Sequence, residues 1–242
     1  MLESVHRLKS AVLGNERNVW VTPPLDPATC SQLTVFLDAE MYRDNVHAAA
    51  ICETARREGA IPDSWFVWIS SESIEARWKE CPCHPPFARF IVDEFLPWLA
   101  STHPDTRRAT WRTLVGLSYT GLAAAYVAHE RPGVFARVIA QSGSFWWHDA
   151  WLCNHVTRQG AQDVAFWLEV GARETQTNLK HQPDVVQAMS QIAGVQRMRD
   201  ALVAQGYEVK YVETADGAHD TSAWARSLPS ALRWAAGSAS LK

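Results

Sequence analysis

The sequence predicts an α/β fold: one domain over residues 1–242, built on a mostly parallel central sheet with helices on both faces. Three observations carry this reading. Short apolar runs of strand length alternate with stretches long enough for helices. The residues best suited to chemistry fall just after those runs, where ligands sit in such sheets, at the carboxyl ends of the strands. Finally, Gly116-Leu117-Ser118-Tyr119-Thr120-Gly121 joins an apolar run to an Ala-rich helical stretch, so that a serine stands on a tight strand-to-helix turn. A chain of 242 residues, 47% hydrophobic and 20% charged, supports one sizeable core.

The elements follow in order. Residues 19–22 read as an early strand, stopped by Pro23-Pro24. Residues 33–37 (Leu-Thr-Val-Phe-Leu) and 65–69 (Trp-Phe-Val-Trp-Ile) are apolar almost throughout, as expected of strands covered on both faces. Residues 110–115 form the strand before the serine turn, and 134–140, 164–170 and 209–212 complete the sheet. Helices are expected over 46–58, 87–100, 122–130, 183–204 and 222–236, with a loose tail from 237.

Composition excludes several classes. Twenty-three basic against 26 acidic residues leave a net charge of −3, which gives no reason to expect nucleic acid or an anionic membrane as partner. Met1-Leu2-Glu3-Ser4-Val5-His6-Arg7 lacks the apolar core of a signal peptide, and no run approaches the ~18 apolar residues of a membrane span. Five cysteines (Cys30, Cys52, Cys81, Cys83, Cys153) are an odd number without framework spacing, so a cytoplasmic protein is expected rather than a disulfide scaffold. Cys81-Pro82-Cys83-His84 has no second ligand pair, so no metal is expected. Twelve tryptophans form mostly core, with some near strand ends suited to lining a pocket for ring-bearing ligands.

A serine hydroxyl needs a base to become a nucleophile. With Ser118 on the elbow, the base is expected in the loop after the last strand, at His219 of Gly217-Ala218-His219-Asp220. The acid is expected after the penultimate strand, at Glu174 of Gly171-Ala172-Arg173-Glu174. Asp216 and Asp184 are its competitors, and a dyad without an acid stays open. An oxyanion hole is expected from two backbone N–H groups, those of Tyr119 and of Glu40 in the loop after residues 33–37. Asp38 and the side chain of Glu40 read as loop residues.

These motifs resemble the enterochelin-esterase-like branch of the esterase D family of α/β-hydrolases, over about residues 8 to 236. Leu13-Gly14-Asn15-Glu16-Arg17-Asn18-Val19-Trp20-Val21 is similar to its opening strand. Val35-Phe36-Leu37-Asp38-Ala39-Glu40 is similar to its Leu-Asp-Gly-Glu oxyanion segment. Arg77-Trp78-Lys79-Glu80-Cys81-Pro82, followed by Phe90-Ile91-Val92-Asp93-Glu94-Phe95-Leu96-Pro97, is similar to its Arg-x-x-Glu-Leu loop and the segment after it. Gln141-Ser142-Gly143-Ser144-Phe145-Trp146-Trp147 resembles its Ser-Gly-Ser-aromatic-Trp signature, and Gly217-Ala218-His219-Asp220 its Gly-Gly-His-Asp. The resemblance implies an α/β-hydrolase fold and ester hydrolysis through an acyl-serine, without cofactor or metal, on a small-molecule ester such as a catecholate siderophore. It does not specify an oligomeric state.

Thr120, Ala39 and Ala218 stand where the family has glycine, and the extra N-terminal domain of full-length enterochelin esterases is not expected here. Arg77, Trp146 and Trp147 suit an anionic aromatic substrate site, guanidinium for charge and indoles for stacking. The alternative is an Arg77–Glu80 ion pair and two packed indoles. Two rival functions stay open: a binding protein on a hydrolase scaffold, favoured by Thr120, and an acyltransferase using the same serine.

Overall fold

A computed structural model describes residues 2–156 and 164–237. Eight strands form the central sheet: β1 (Ser4–Ser10), β2 (Asn15–Thr22), β3 (Gln32–Leu37), β4 (Ser64–Ile69), β5 (Trp111–Leu117), β6 (Arg137–Gln141), β7 (Ala165–Gly171) and, after the small β8–β9 hairpin (Leu179–Gln182, Val185–Gln187), β10 (Glu208–Thr214). Their spatial order is β1-β2-β4-β3-β5-β6-β7-β10. β2 pairs antiparallel with β1 and β4, and every other pairing in this sheet is parallel.

The parallel strands are buried on both faces because helices cover both. Along β4 the side chains alternate: Trp65, Val67 and Ile69 enter one core, Phe66 and Trp68 the other. Helices α1 (Ala48–Arg57) and α8 (Thr221–Ala235) close the second core. The first is closed by α5 (Ser118–Glu130), by α3 (Pro85–Arg89) and α4 (Leu96–Thr102) with the π-helical turn between them, and by α7 (Gln191–Ala204). Eleven of the thirteen residues of α5 are buried, which explains a composition apolar all round: this helix has no solvent face.

Four elements differ from expectation. The polar β1 is an edge strand, a position that needs no apolar run. Two helices were not expected: α2 (Ile74–Glu80), capped by the Ser73 side chain on Ala76 N–H at 3.0 Å, and α6 (Trp147–His155). The stretch read as one helix from 183 divides: residues 179–187 form the hairpin and α7 starts after Ser190, whose hydroxyl accepts from Ala193 N–H at 3.1 Å. Pro183 belongs to the hairpin turn, not to a helix start. Of the expected tail, 238–242 lie outside the described residues.

Candidate active site

Three non-glycine residues at the carboxyl edge of the sheet hold left-handed backbone: Asp38 after β3 (φ 66°), Ser118 after β5 (φ 51°) and Ser142 after β6 (φ 45°). Such conformations cost of order 1–3 kcal/mol each and persist only where packing enforces them. At Ser118 the enforcing groups are visible. A Cβ on Gly116 would lie 2.0 Å from the Thr120 carbonyl oxygen, so only glycine lets α5 approach β5 this closely. The Thr120 hydroxyl, 1% exposed, donates to Leu117 O at 2.8 Å and accepts from Leu117 N–H at 3.0 Å. The residue that departs from the glycine pattern thus latches the turn.

The elbow presents Ser118 Oγ at 3.1 Å from His219 Nε2, and His219 Nδ1 lies 2.6 Å from Glu174 Oε2. An ionised carboxylate only accepts, so Nδ1–H donates to it and Nε2 is left to receive the serine proton. The Glu174 side chain is 1% exposed, and its other oxygen accepts from Ser142 Oγ–H at 2.6 Å and Gly171 N–H at 2.7 Å. The Trp224 indole N–H donates to Ser142 Oγ at 3.1 Å and its ring meets His219 edge-on at 5.1 Å. The two competing carboxylates lie elsewhere. Asp216 is 89% exposed beside Arg173 at 3.4 Å, and Asp184 is exposed in the β8–β9 turn.

Two clefts meet at Ser118 and His219. The smaller, about 340 Å³, is walled by Trp146, Gln191 and the hairpin residues Leu179, His181 and Gln187. The larger, about 750 Å³, is bounded by Glu40 and Met41 after β3, by Ile74, Arg77 and Trp78 of α2, and by Asp220 and Trp224. Glu40 therefore borders the same space as Ser118. Tyr119 follows Ser118 in the first turn of α5, where amides have no partner within their own helix.

The model of the family described as "Putative esterase" matches residues 10–235. The chain belongs to this esterase family. The iron(III) enterobactin esterase of Dickeya dadantii (strain 3937) is 31% identical over 237 residues, covering 93% of this chain and 53% of that protein. Its counterpart in Escherichia coli (strain K12) is 27% identical, with 93% and 54% covered. The chain spans about half the length of these curated relatives. Among solved structures, the Shigella flexneri enterobactin esterase in the presence of enterobactin superposes with TM-score 0.81 at 24% identity, over 97% of this chain and 59% of that one. A ferulic acid esterase superposes with TM-score 0.76 at 16% identity, over 97% and 98%. At these identities the structures establish the shared fold.

Within this esterase scaffold the expected substrate residues separate. Trp146 walls the smaller cleft: its indole N–H donates to Gln191 Oε1 at 2.7 Å and its ring stacks on His181 at 4.8 Å. Trp147 lines neither cleft; it is half-buried against the core beside His148, so the structure separates it from its neighbour. Arg77 borders the larger cleft, but its guanidinium Nε–H donates to Asp38 Oδ2 at 2.7 Å. Burial alone would make this guanidinium easier to deprotonate, but the Asp38 carboxylate, with Cys81 and Tyr119 adding to it, outweighs that and holds it above the ordinary arginine value. Glu80, its partner in the alternative reading, pairs with Arg17 at 2.9 Å instead.

Sequence reasoning missed the supports. Ser142 carries the acid. Gln191 donates to the carbonyls of Ser142 and Gly143 at 2.5 and 2.7 Å. Ser144 N–H donates to Ser118 O at 3.0 Å. Both serines stand in the Ser-Gly-Ser motif, which was the available signal; Gln191 had none.

Proposed function

We propose that this chain is a serine carboxylic ester hydrolase acting on a small-molecule ester, with catecholate siderophore esters as its substrate class. Ser118 Oγ attacks the ester carbonyl carbon while His219 Nε2 takes the serine proton, and Glu174 balances the imidazolium that forms. The N–H groups of Tyr119 and Glu40 receive the oxyanion, each such donor contributing about 2.7–4 kcal/mol to the transition state. The imidazolium then protonates the departing alkoxide, leaving an acyl-serine. Water, deprotonated by His219, attacks that acyl carbon; the carboxylic acid leaves and the serine recovers its proton. Each bond and proton is handled by side chains, backbone and water.

The observation that carries this reading is the continuous Ser118–His219–Glu174 contact chain, at 3.1 and 2.6 Å. The relatives' names supply the siderophore class. A binding-only role drew on Thr120, whose latch on the turn removes that ground. The test is Ser118→Ala: turnover of a small aryl ester falls by several orders of magnitude, and a fluorophosphonate that labels the wild type stoichiometrically leaves the variant unlabelled. Retained turnover in the variant overturns the proposal. A cytoplasmic location belongs to the same reading and is supported by five unpaired cysteines; cell fractionation checks it.

A further inference from the structure

Behind the triad lies a buried acid that the proposed mechanism does not use. Glu169 of β7 is 3% exposed and, among the described residues, lies in no ion pair. Three donors hold it instead: Ser227 Oγ–H at 2.5 Å and a Gln141 amide N–H at 3.1 Å on Oε1, and the Trp167 indole N–H at 2.7 Å on Oε2. Burial still pushes its carboxyl up from the ordinary range, against the pull of those donors. A carboxylate kept dry without a cation is costly, and a strand covered by helices on both faces has no structural need of one.

Gln141, buried on β6, makes that acid part of a junction. Its NH2 group faces the Glu169 carboxylate and, at 3.0 Å, the Trp224 carbonyl. Both are acceptors, which fixes the orientation of the amide. Its Oε1 is thereby turned to Tyr42, whose O–H donates to it at 2.9 Å. Each end leads to a different side of the site. Tyr42 stands two residues beyond Glu40, on the loop whose N–H the proposed mechanism gives to the oxyanion, and its own N–H donates to Asp38 O at 3.1 Å. Trp224, in the first turn of α8, donates to Ser142 Oγ, which in turn donates to Glu174, and its ring meets His219 edge-on. The Glu169 carbonyl also accepts from Ser142 N–H at 2.9 Å, holding that left-handed residue from behind. A buried polar network with its partners in place rigidifies what it joins.

We propose that Gln141, oriented by Glu169, is a positioning residue: one side-chain amide that keeps the oxyanion loop aligned with the acid and the base. Neither residue lines either cleft, so both act through others. This inference deepens the hydrolase reading and rests on it for what the aligned groups do.

The test compares Tyr42→Phe, Glu169→Gln, their double variant and Leu99→Ala, a buried position of α4 in the other core. On a small aryl ester each of the first two lowers kcat by about tenfold to a hundredfold, with KM within about twofold. Because both act through one amide, the double variant loses little more than the worse single variant, not the product of the two. Leu99→Ala destabilises through a cavity instead and leaves kcat within about twofold. A second readout needs no turnover: the low-field proton NMR resonance of His219 Nδ1–H. It moves in Glu169→Gln and also in Tyr42→Phe, although the Tyr42 hydroxyl is bonded to Gln141 and not to the triad. Tyr42→Phe removes only a hydroxyl and decides alone if Glu169→Gln does not fold. Losses that multiply, a kcat near wild type, a loss carried by KM, an equal kcat loss in Leu99→Ala, or a resonance unmoved by Tyr42→Phe overturns the inference. Wild-type protein that cleaves no ester, with the resonance still moving in both variants, keeps the alignment and removes the hydrolase reading instead.

Discussion

Gly171 and Gly217 lie backbone against backbone, joining the loop that carries Glu174 to the loop that carries His219. A Cβ on Gly171 would fall 2.3 Å from the Gly217 carbonyl carbon, and one on Gly217 would fall 2.0 Å from Thr214 Oγ1 and 2.8 Å from Gly171 Cα. Arg173 N–H donates to Gly217 O at 3.0 Å across the same seam, continuing the Gly171–Thr214 register of β7 and β10. Gly171→Ala therefore pries the acid from the base. A displacement of about 1 Å costs on the order of a hundredfold in rate, and we expect a kcat loss of that size, read beside a melting curve that confirms folding.

The Thr120 latch gives a second expectation. Thr120→Val keeps the shape but removes two buried bonds to Leu117. Losing buried partners costs about 1–3 kcal/mol, which lowers Tm by roughly 2–4 °C per kcal/mol in a chain of this length. Thr120→Ser retains the hydroxyl and recovers most of the loss; thermal denaturation of the two variants side by side decides it.

Glu174 and Ser142 should separate by magnitude. In the proposed mechanism Glu174→Gln removes the charge that balances the imidazolium, and kcat is expected to fall by about 10²–10⁴ with little change in KM. Ser142→Ala removes one of the two donors on Glu174 Oε1 but leaves Gly171 N–H in place, so a loss nearer tenfold is expected. Equal losses in steady-state assays would mean that Ser142 does more than hold the acid.

Asp220 caps α8 by accepting from Ala223 N–H at 2.9 Å and Ser222 Oγ–H at 2.7 Å. The Ser222 bond, then the Ala223 bond, holds its carboxyl below the ordinary 3.8. Because the folded value lies below the unfolded one, the cap's contribution is full above about pH 4 and fades as pH falls through the folded value. Asp220→Ala should cost about 1 kcal/mol at neutral pH, with the gap to wild type closing in strong acid; denaturant titrations at several pH values test this.

Most of the sheet was legible because its strands lie between two helix layers and must be apolar on both faces. The expected 33–37, 65–69 and 164–170 fall within a residue of β3, β4 and β7. What escaped notice had no such pattern. The edge strand β1 buries little, and the hairpin at 179–187 reads as polar chain. α2 is seven residues long with an exposed apolar pair. Ser118 and His219 were legible from local motifs, an elbow glycine before one and a small-residue loop around the other.

Element order, the elbow and the serine-to-histidine sequence along the chain could be read from residues alone, because they depend on short-range pattern and turn chemistry. Which carboxylate reaches His219 was only favoured by position: Glu174 stands after the penultimate strand with Asp216 and Asp184 as rivals, and it is the packing of Gly171 on Gly217 and the Ser142 clasp that bring Glu174 to the ring. The same holds for Arg77, an open cation in the sequence and a closed pair in the fold, since Asp38 stands 39 positions away and meets it only across the sheet edge. Charge and hydrogen bonding act over a few ångströms of space, and that proximity is set by the packing of distant segments.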